Sequence, residues 1–173
     1  MHAMNTLVKN FYKFLLLLAC ISMVSAFLVI MLGVAAREFL WDIPGLDAYA
    51  GYAIAATLFL ALPETLRHGD HIRVTMVLQK LPPRVGAIFE YWCLGAATVL
   101  CSYFAWYACH MVWVSYSFHD VSAGADATPL WIPQIAMALG SIGFALAFAD
   151  ALISRIQGRT FFAEADGESV RAE

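Results

Sequence analysis

The sequence predicts an all-α integral membrane protein of four transmembrane helices. Three features carry that expectation. The composition is 62% hydrophobic and only 13% charged, where ordinary soluble domains are about 25% charged. Four apolar blocks are each long enough to cross a bilayer, and the Lys and Arg residues are confined almost entirely to alternate gaps between those blocks. So little polar sequence leaves no room for a separate soluble enzyme domain, and no enzymatic activity is expected. The net charge of −3 gives no reason to expect a nucleic-acid partner.

The first span is read over residues 14–36, a run without Asp, Glu, Lys, Arg or His. At about 1.5 Å per helical residue, some 20 residues cover the roughly 30 Å hydrocarbon core. The run also exceeds the apolar core of a cleaved signal, about 7–15 residues, so it reads as a retained span. Ahead of it, Leu7 to Phe14 reads as a short surface helix offering Lys9 and Lys13 to lipid phosphates. The second span is read over 48–66 after Pro44 and Gly45, the third over 88–113 after Pro82 and Pro83, and the fourth over 129–149. Pro129 suits the first turn of that last helix, where a missing N–H costs little.

Between spans two and three, Val74, Val77, Leu78 and Leu81 recur at helical spacing while Arg73 and Lys80 reach outward. That pattern predicts a helix over 70–81 lying on the membrane surface, with Asp70 as N-cap. The chain thus forms a single four-helix membrane domain to residue 155, followed by a polar tail over 156–173.

Basic residues in short loops are retained in the cytoplasm. Lys9 and Lys13 precede span one, Arg67, Arg73, Lys80 and Arg84 separate spans two and three, and Arg155, Arg159 and Arg171 follow span four. The opposite gaps hold Glu38, Asp42, Asp47, Asp120 and Asp126, with Arg37 as the one cation among them. The expected orientation is N-in and C-in. Trp41, Trp113 and Trp131 fall near the expected boundaries, together with Tyr116 and Phe118, where an amphipathic ring anchors a helix.

Chemistry within the spans is sparse. Glu64 and Arg67 are spaced to form an i, i+3 ion pair at the inner end of span two. Glu90 lies one turn into span three, and His110 stands apart toward its outer half. These groups do not line up as an ion or proton relay. Cys20, Cys93, Cys101 and Cys109 include no CxxC pair; His68 and His71 lack the further ligands of a zinc site. No metal or other cofactor is expected. The small pairs Gly51/Ala55 and Ala136/Gly140 suit close helix packing.

The segment ALPETLRHGDHIRVTMVLQKLPPR resembles the signature of the small membrane subunit of tripartite ATP-independent periplasmic (TRAP) transporters, the DctQ family. The matching positions are Arg37, Asp47, Arg67, Gly69, His71, Ile72, Val74, Leu81 and Pro82, with a further likeness at Thr128, Pro129, Leu130, Ile132 and Pro133. The chain departs from the pattern at Ala48, Ala56 and Thr75. The resemblance implies an accessory subunit in a bacterial inner membrane. Its partners would be a large DctM-like permease subunit carrying the substrate and sodium sites, a periplasmic solute-binding protein, and the surrounding lipids. A brace of this kind would enlarge the permease's fixed scaffold during sodium-driven uptake of an organic acid or similar solute.

The residues expected to meet partners are Arg37, Glu38, Asp42 and Asp47 at the outer face, and Glu64, Arg67, His71 and Arg73 at the inner face. The competing expectation is a membrane anchor of a redox enzyme, holding haem or quinone through His68, His71 or His110. A small self-assembling exporter is a third.

Overall fold

A computed structural model of the chain describes residues 2–41, 43–68 and 83–157. Among them are four helices, α1 (His2–Glu38), α2 (Leu46–His68), α3 (Pro83–Phe118) and α4 (Trp131–Ile156). Each contains a segment long and apolar enough to cross a membrane. The described residues contain no strand, only an isolated bridge between Val121 and Pro129. The predicted surface helix over 70–81 lies outside the described residues, and so do Asp42 and the tail beyond 157.

The helices overrun the spans read from the sequence. α1 has 37 residues and α3 has 36, so each is about 55 Å long, well beyond a hydrocarbon core of roughly 30 Å. No proline interrupts either after its first residue, and charged residues such as Lys9, Lys13 and Arg84 are good helix formers. The stretch from Leu7 to Phe14 is therefore not a separate surface helix but the continuous start of α1. Ile156 belongs to α4 and Gln157 caps it.

Two helix ends lack the glycine that usually closes them. Leu40 (φ 55°) and His119 (φ 56°) take the left-handed conformation after α1 and α3. Behind each, a backbone N–H reaches back across the turn, from Trp41 to Ala36 O at 2.8 Å and from Asp120 to Ser115 O at 3.0 Å. This is the Schellman closure. At the start of α4 the proline expectation shifts by one turn. Pro129 precedes the helix, in the bridge with Val121, and Pro133 occupies the first turn, where its absent N–H would have had no helical acceptor.

The helices form an open row in the order α1, α2, α4, α3, not a closed bundle. α2 packs along α1 on one side and α4 on the other, α3 packs along α4, and α1 touches α4 only slightly. α3 reaches α2 through one stacked pair, Phe59 and Phe104, with centroids 6.2 Å apart.

The seam between α2 and α4 has a close approach with a local cause. Pro63 has no N–H, so the carbonyl of Phe59 one turn earlier loses its helical donor. A Cβ built at Gly140 would lie 2.3 Å from that same oxygen. Only the Hα of a glycine fits there, and it points at the freed carbonyl in the manner of a Cα–H···O contact. Around this point Leu15, Ala19 and Leu60 are buried, with Ala56 and Ala136 packed on them. Toward the ends carrying the termini, Tyr12, Leu66 and Ala147 are buried against Phe11, Phe144 and Phe148.

Candidate functional site

The described residues place polar contacts between helices at the two ends of the row, and apolar, small-residue packing between. One end, carrying the start of α1 and the close of α4, holds most of the described basic residues. The other end is acidic.

At the acidic end Arg37, in the last turn of α1, faces Asp47 in the first turn of α2, with Nη2 3.4 Å from Oδ1. Both charges also suit their helix dipoles, a cation at a C-terminus and a carboxylate at an N-terminus. The side chains are 76% and 91% exposed. An exposed pair of this kind contributes under about 1 kcal/mol to the fold. Glu38 is exposed beside Arg37, and Asp42 lies outside the described residues.

A second cluster at this end joins the two loops. Asp126 accepts hydrogen bonds from the Tyr52 hydroxyl at 3.0 Å, the Ser122 hydroxyl at 2.9 Å and the Thr128 N–H at 3.3 Å. Hydrogen bonds from Thr128, and then from Ser122 and Tyr52, hold its carboxyl below the usual carboxylate range against partial desolvation. Thr128 also donates to the Tyr49 hydroxyl at 3.3 Å. Gly45 completes the clasp, since its φ of +84° and a would-be Cβ 2.6 Å from Asp126 Cβ exclude any other residue. In the sequence Asp126 reads only as an outer acidic charge. Its local signal was the Ser-x-x-x-Asp-x-Thr spacing, which favours side-chain to backbone turns; the partnership with Tyr52 had no sequence signal.

At the basic end Glu64 is buried and Arg67 half-buried, with Nη1 3.6 Å from Oε1 across one helical turn. The buried Tyr12 hydroxyl lies near these groups and Asp150, and finds no hydrogen-bond partner among the described residues. Arg155 at the close of α4 pairs with Glu90 of α3 at 2.9 Å and lies 5.8 Å over the Tyr91 ring, while the Tyr91 hydroxyl donates to Arg155 O at 3.3 Å. The sequence carries no local signal for this pin between α3 and α4, since Glu90 and Arg155 are far apart in the chain. His71 and Arg73 lie outside the described residues.

The expected aromatic anchors gather at the acidic end. Trp41 stacks on Phe39 at 5.4 Å, and Trp131 meets Tyr116 edge-on at 5.7 Å. Trp113 projects outward, 69% exposed. The small pairs divide: Ala136 and Gly140 lie inside the row, whereas Gly51 and Ala55 face outward, with nothing within 4 Å of a Cβ at Gly51. Among the described residues no three of His, Cys, Asp and Glu gather as a metal site.

A family model described as "Tripartite ATP-independent periplasmic transporters, DctQ component" matches residues 26–158. The chain belongs to the DctQ family. Membership makes it a component of a tripartite transporter and not an enzyme, and the four apolar helices make it a multi-pass membrane protein. No curated protein and no solved structure matches this DctQ chain. The match runs from within α1 to just past α4, so it takes in both loops at the acidic end and leaves out the first 25 residues and nearly all of the tail. Nothing in it favours the redox anchor or the self-assembling exporter.

Proposed function

We propose that this chain is the fixed, non-translocating small subunit of a TRAP-type secondary transporter in a bacterial inner membrane. It sits N-in and C-in, so the basic end meets the cytoplasm and the Arg37 end meets the periplasm, as the positive-inside rule requires. It braces the scaffold of a large DctM-like permease subunit, and a periplasmic binding protein delivers an organic acid or similar solute for sodium-driven uptake.

The family match carries this reading; the form of the row supports it. A brace needs a constant shape and much outward area. Ion pairs and hydrogen bonds clasp the ends of the row, the Gly140 contact locks its middle, and the open order of helices leaves both flanks free for a neighbour. Arg37, Glu38, Asp42 and Asp47 are then a periplasmic contact surface. The Arg37–Asp47 pair does little for the fold, so its charges remain available to a partner. Glu64, Arg67, His71 and Arg73 serve the cytoplasmic side, and Trp41, Trp113 and Trp131 set the depth of the outer boundary.

Proteoliposomes test the proposal. With the neighbouring permease subunit and binding protein present, a sodium gradient drives solute uptake, and omitting this chain abolishes it. Solute flux through this chain reconstituted alone would overturn the reading.

A further inference from the structure

We infer that the outward face of α3 is the seam on which a transmembrane helix of the large permease subunit docks; the inference rests on the function proposed above. α3 turns Ala105, Ala108 and Ser115 inward, and these are the buried three of the 31 residues from Ile88 to Phe118, against six of 26 in α4. Exposure alone does not separate a protein contact from lipid. The chemistry of the exposed side chains does.

On the side of α3 away from α4 stand Tyr103, Trp106, Tyr107 and His110, with Tyr103 63% and Trp106 73% exposed. Tyr103 and Tyr107 lie one turn apart, their ring centroids 4.6 Å from each other. Tyr103 is the middle residue of the apolar segment Ile88–Phe118 and Trp106 and Tyr107 are about one turn from it, so these three are not at the boundary level marked by Trp113, Tyr116 and Trp131. His110 stands one turn from Trp113, about 4.5 Å along the axis, near enough to the boundary for its imidazole to reach the headgroups, so it requires no protein partner. Tyr103 and Tyr107 share a hydrogen bond, which leaves one phenol proton and the Trp106 N–H in need of acceptors, and acyl chains offer none. The occupant must therefore bring polar groups at mid-membrane depth.

One turn nearer the basic end the same face has a shallow groove of about 580 Å³ lined by Tyr91, Trp92, Gly95, Ala96, Val99 and Leu100. Nothing lies within 4 Å of a Cβ at Gly95, so a side chain from a facing helix can seat there. Groove and polar stripe are continuous, and together they run along most of α3. The tripartite transporter proposed above supplies the membrane partner such a seam requires, whereas among the described residues no helix of the row covers it.

The test uses the full chain co-expressed with the permease subunit encoded beside it. A benzophenone amino acid placed at Val99 should crosslink, on illumination in membranes, to the permease subunit. In parallel, the triple variant Tyr103→Phe, Trp106→Phe, Tyr107→Phe should retain roughly tenfold less permease on affinity purification, a few-fold for each interhelical hydrogen bond lost, with unchanged helical circular dichroism. A crosslink at twice the mass of this chain would assign the face to a second copy and overturn the inference. So would crosslinks to lipid alone, or full retention of permease by the triple variant. If the wild-type chain retains no permease, the proposed function falls together with the seam; if it does and Val99 does not crosslink to it, the seam alone falls.

Discussion

At the scale of single residues, the outer loops depend on Asp126. The hydrogen bond from Tyr52 ties the start of α2 to the loop before α4, those from Ser122 and Thr128 hold the loop's own turn, and together they favour the carboxylate over the carboxylic acid. A carboxyl held below its unfolded-state pKa of about 4 stabilises the fold fully above that pH, and the contribution is lost as pH falls through the lower folded-state value. The thermal midpoint of the purified protein should therefore fall more steeply below about pH 4 in the wild type than in Asp126→Asn. Parallel slopes in a pH series of melting curves would count against the clasp. The sequence showed Asp126 as a charge on the acidic side. It did not show the Tyr52 hydroxyl, because that partner is distant in the chain and is brought near only when α2 and α4 pack.

At the scale of elements, the α2–α4 seam separates two glycines that look alike in sequence. Each begins or ends a small-xxx-small pair, yet a methyl group at Gly140 would collide with the Phe59 backbone, while one at Gly51 meets open space. Gly140→Ala should destabilise the protein by about 1–3 kcal/mol, the usual range for overpacking. Gly51→Ala should be neutral within about 0.5 kcal/mol or slightly stabilising, since alanine favours the helix. Denaturant-induced loss of helical signal in mixed micelles measures both. Equal effects at the two positions would refute the packing order. Helix existence was plain from the apolar blocks, but their ends were not. A span read from hydropathy stops where charge begins, whereas a helix continues until a cap or proline stops it. Hence α1 and α3 overran their expected limits, and Pro129 gave way to Pro133 in the first turn of α4.

At the scale of the whole molecule, the row is a slab whose ends are tied and whose flanks are open. In the proposed assembly, Arg37 stands at the outer edge of that slab, where its pair with Asp47 adds little to stability. Arg37→Ala should leave the melting temperature almost unchanged and lower sodium-driven uptake severalfold, with solute affinity of the isolated binding protein unaltered. Uptake assays in proteoliposomes check the first effect and calorimetric titration of the binding protein the second. Wild-type uptake in the variant would remove Arg37 from the contact surface.

The sequence by itself determined that this chain lives in a membrane, that it has four spanning helices, and, through the positions shared with the DctQ family, what kind of complex it joins. Those properties follow from composition, block length and local motif, all of which are properties of neighbours along the chain. Tertiary structure alone decided that the helices form an open row, that Gly140 is buried and Gly51 exposed, and that the polar middle of α3 faces outward. A helix has the same apolar periphery in every direction when most of its residues are apolar, so periodicity does not mark which side meets a neighbour. The freed Phe59 carbonyl and the glycine that fits it mark one such side, and they can be recognised as a pair only after α2 and α4 have come together.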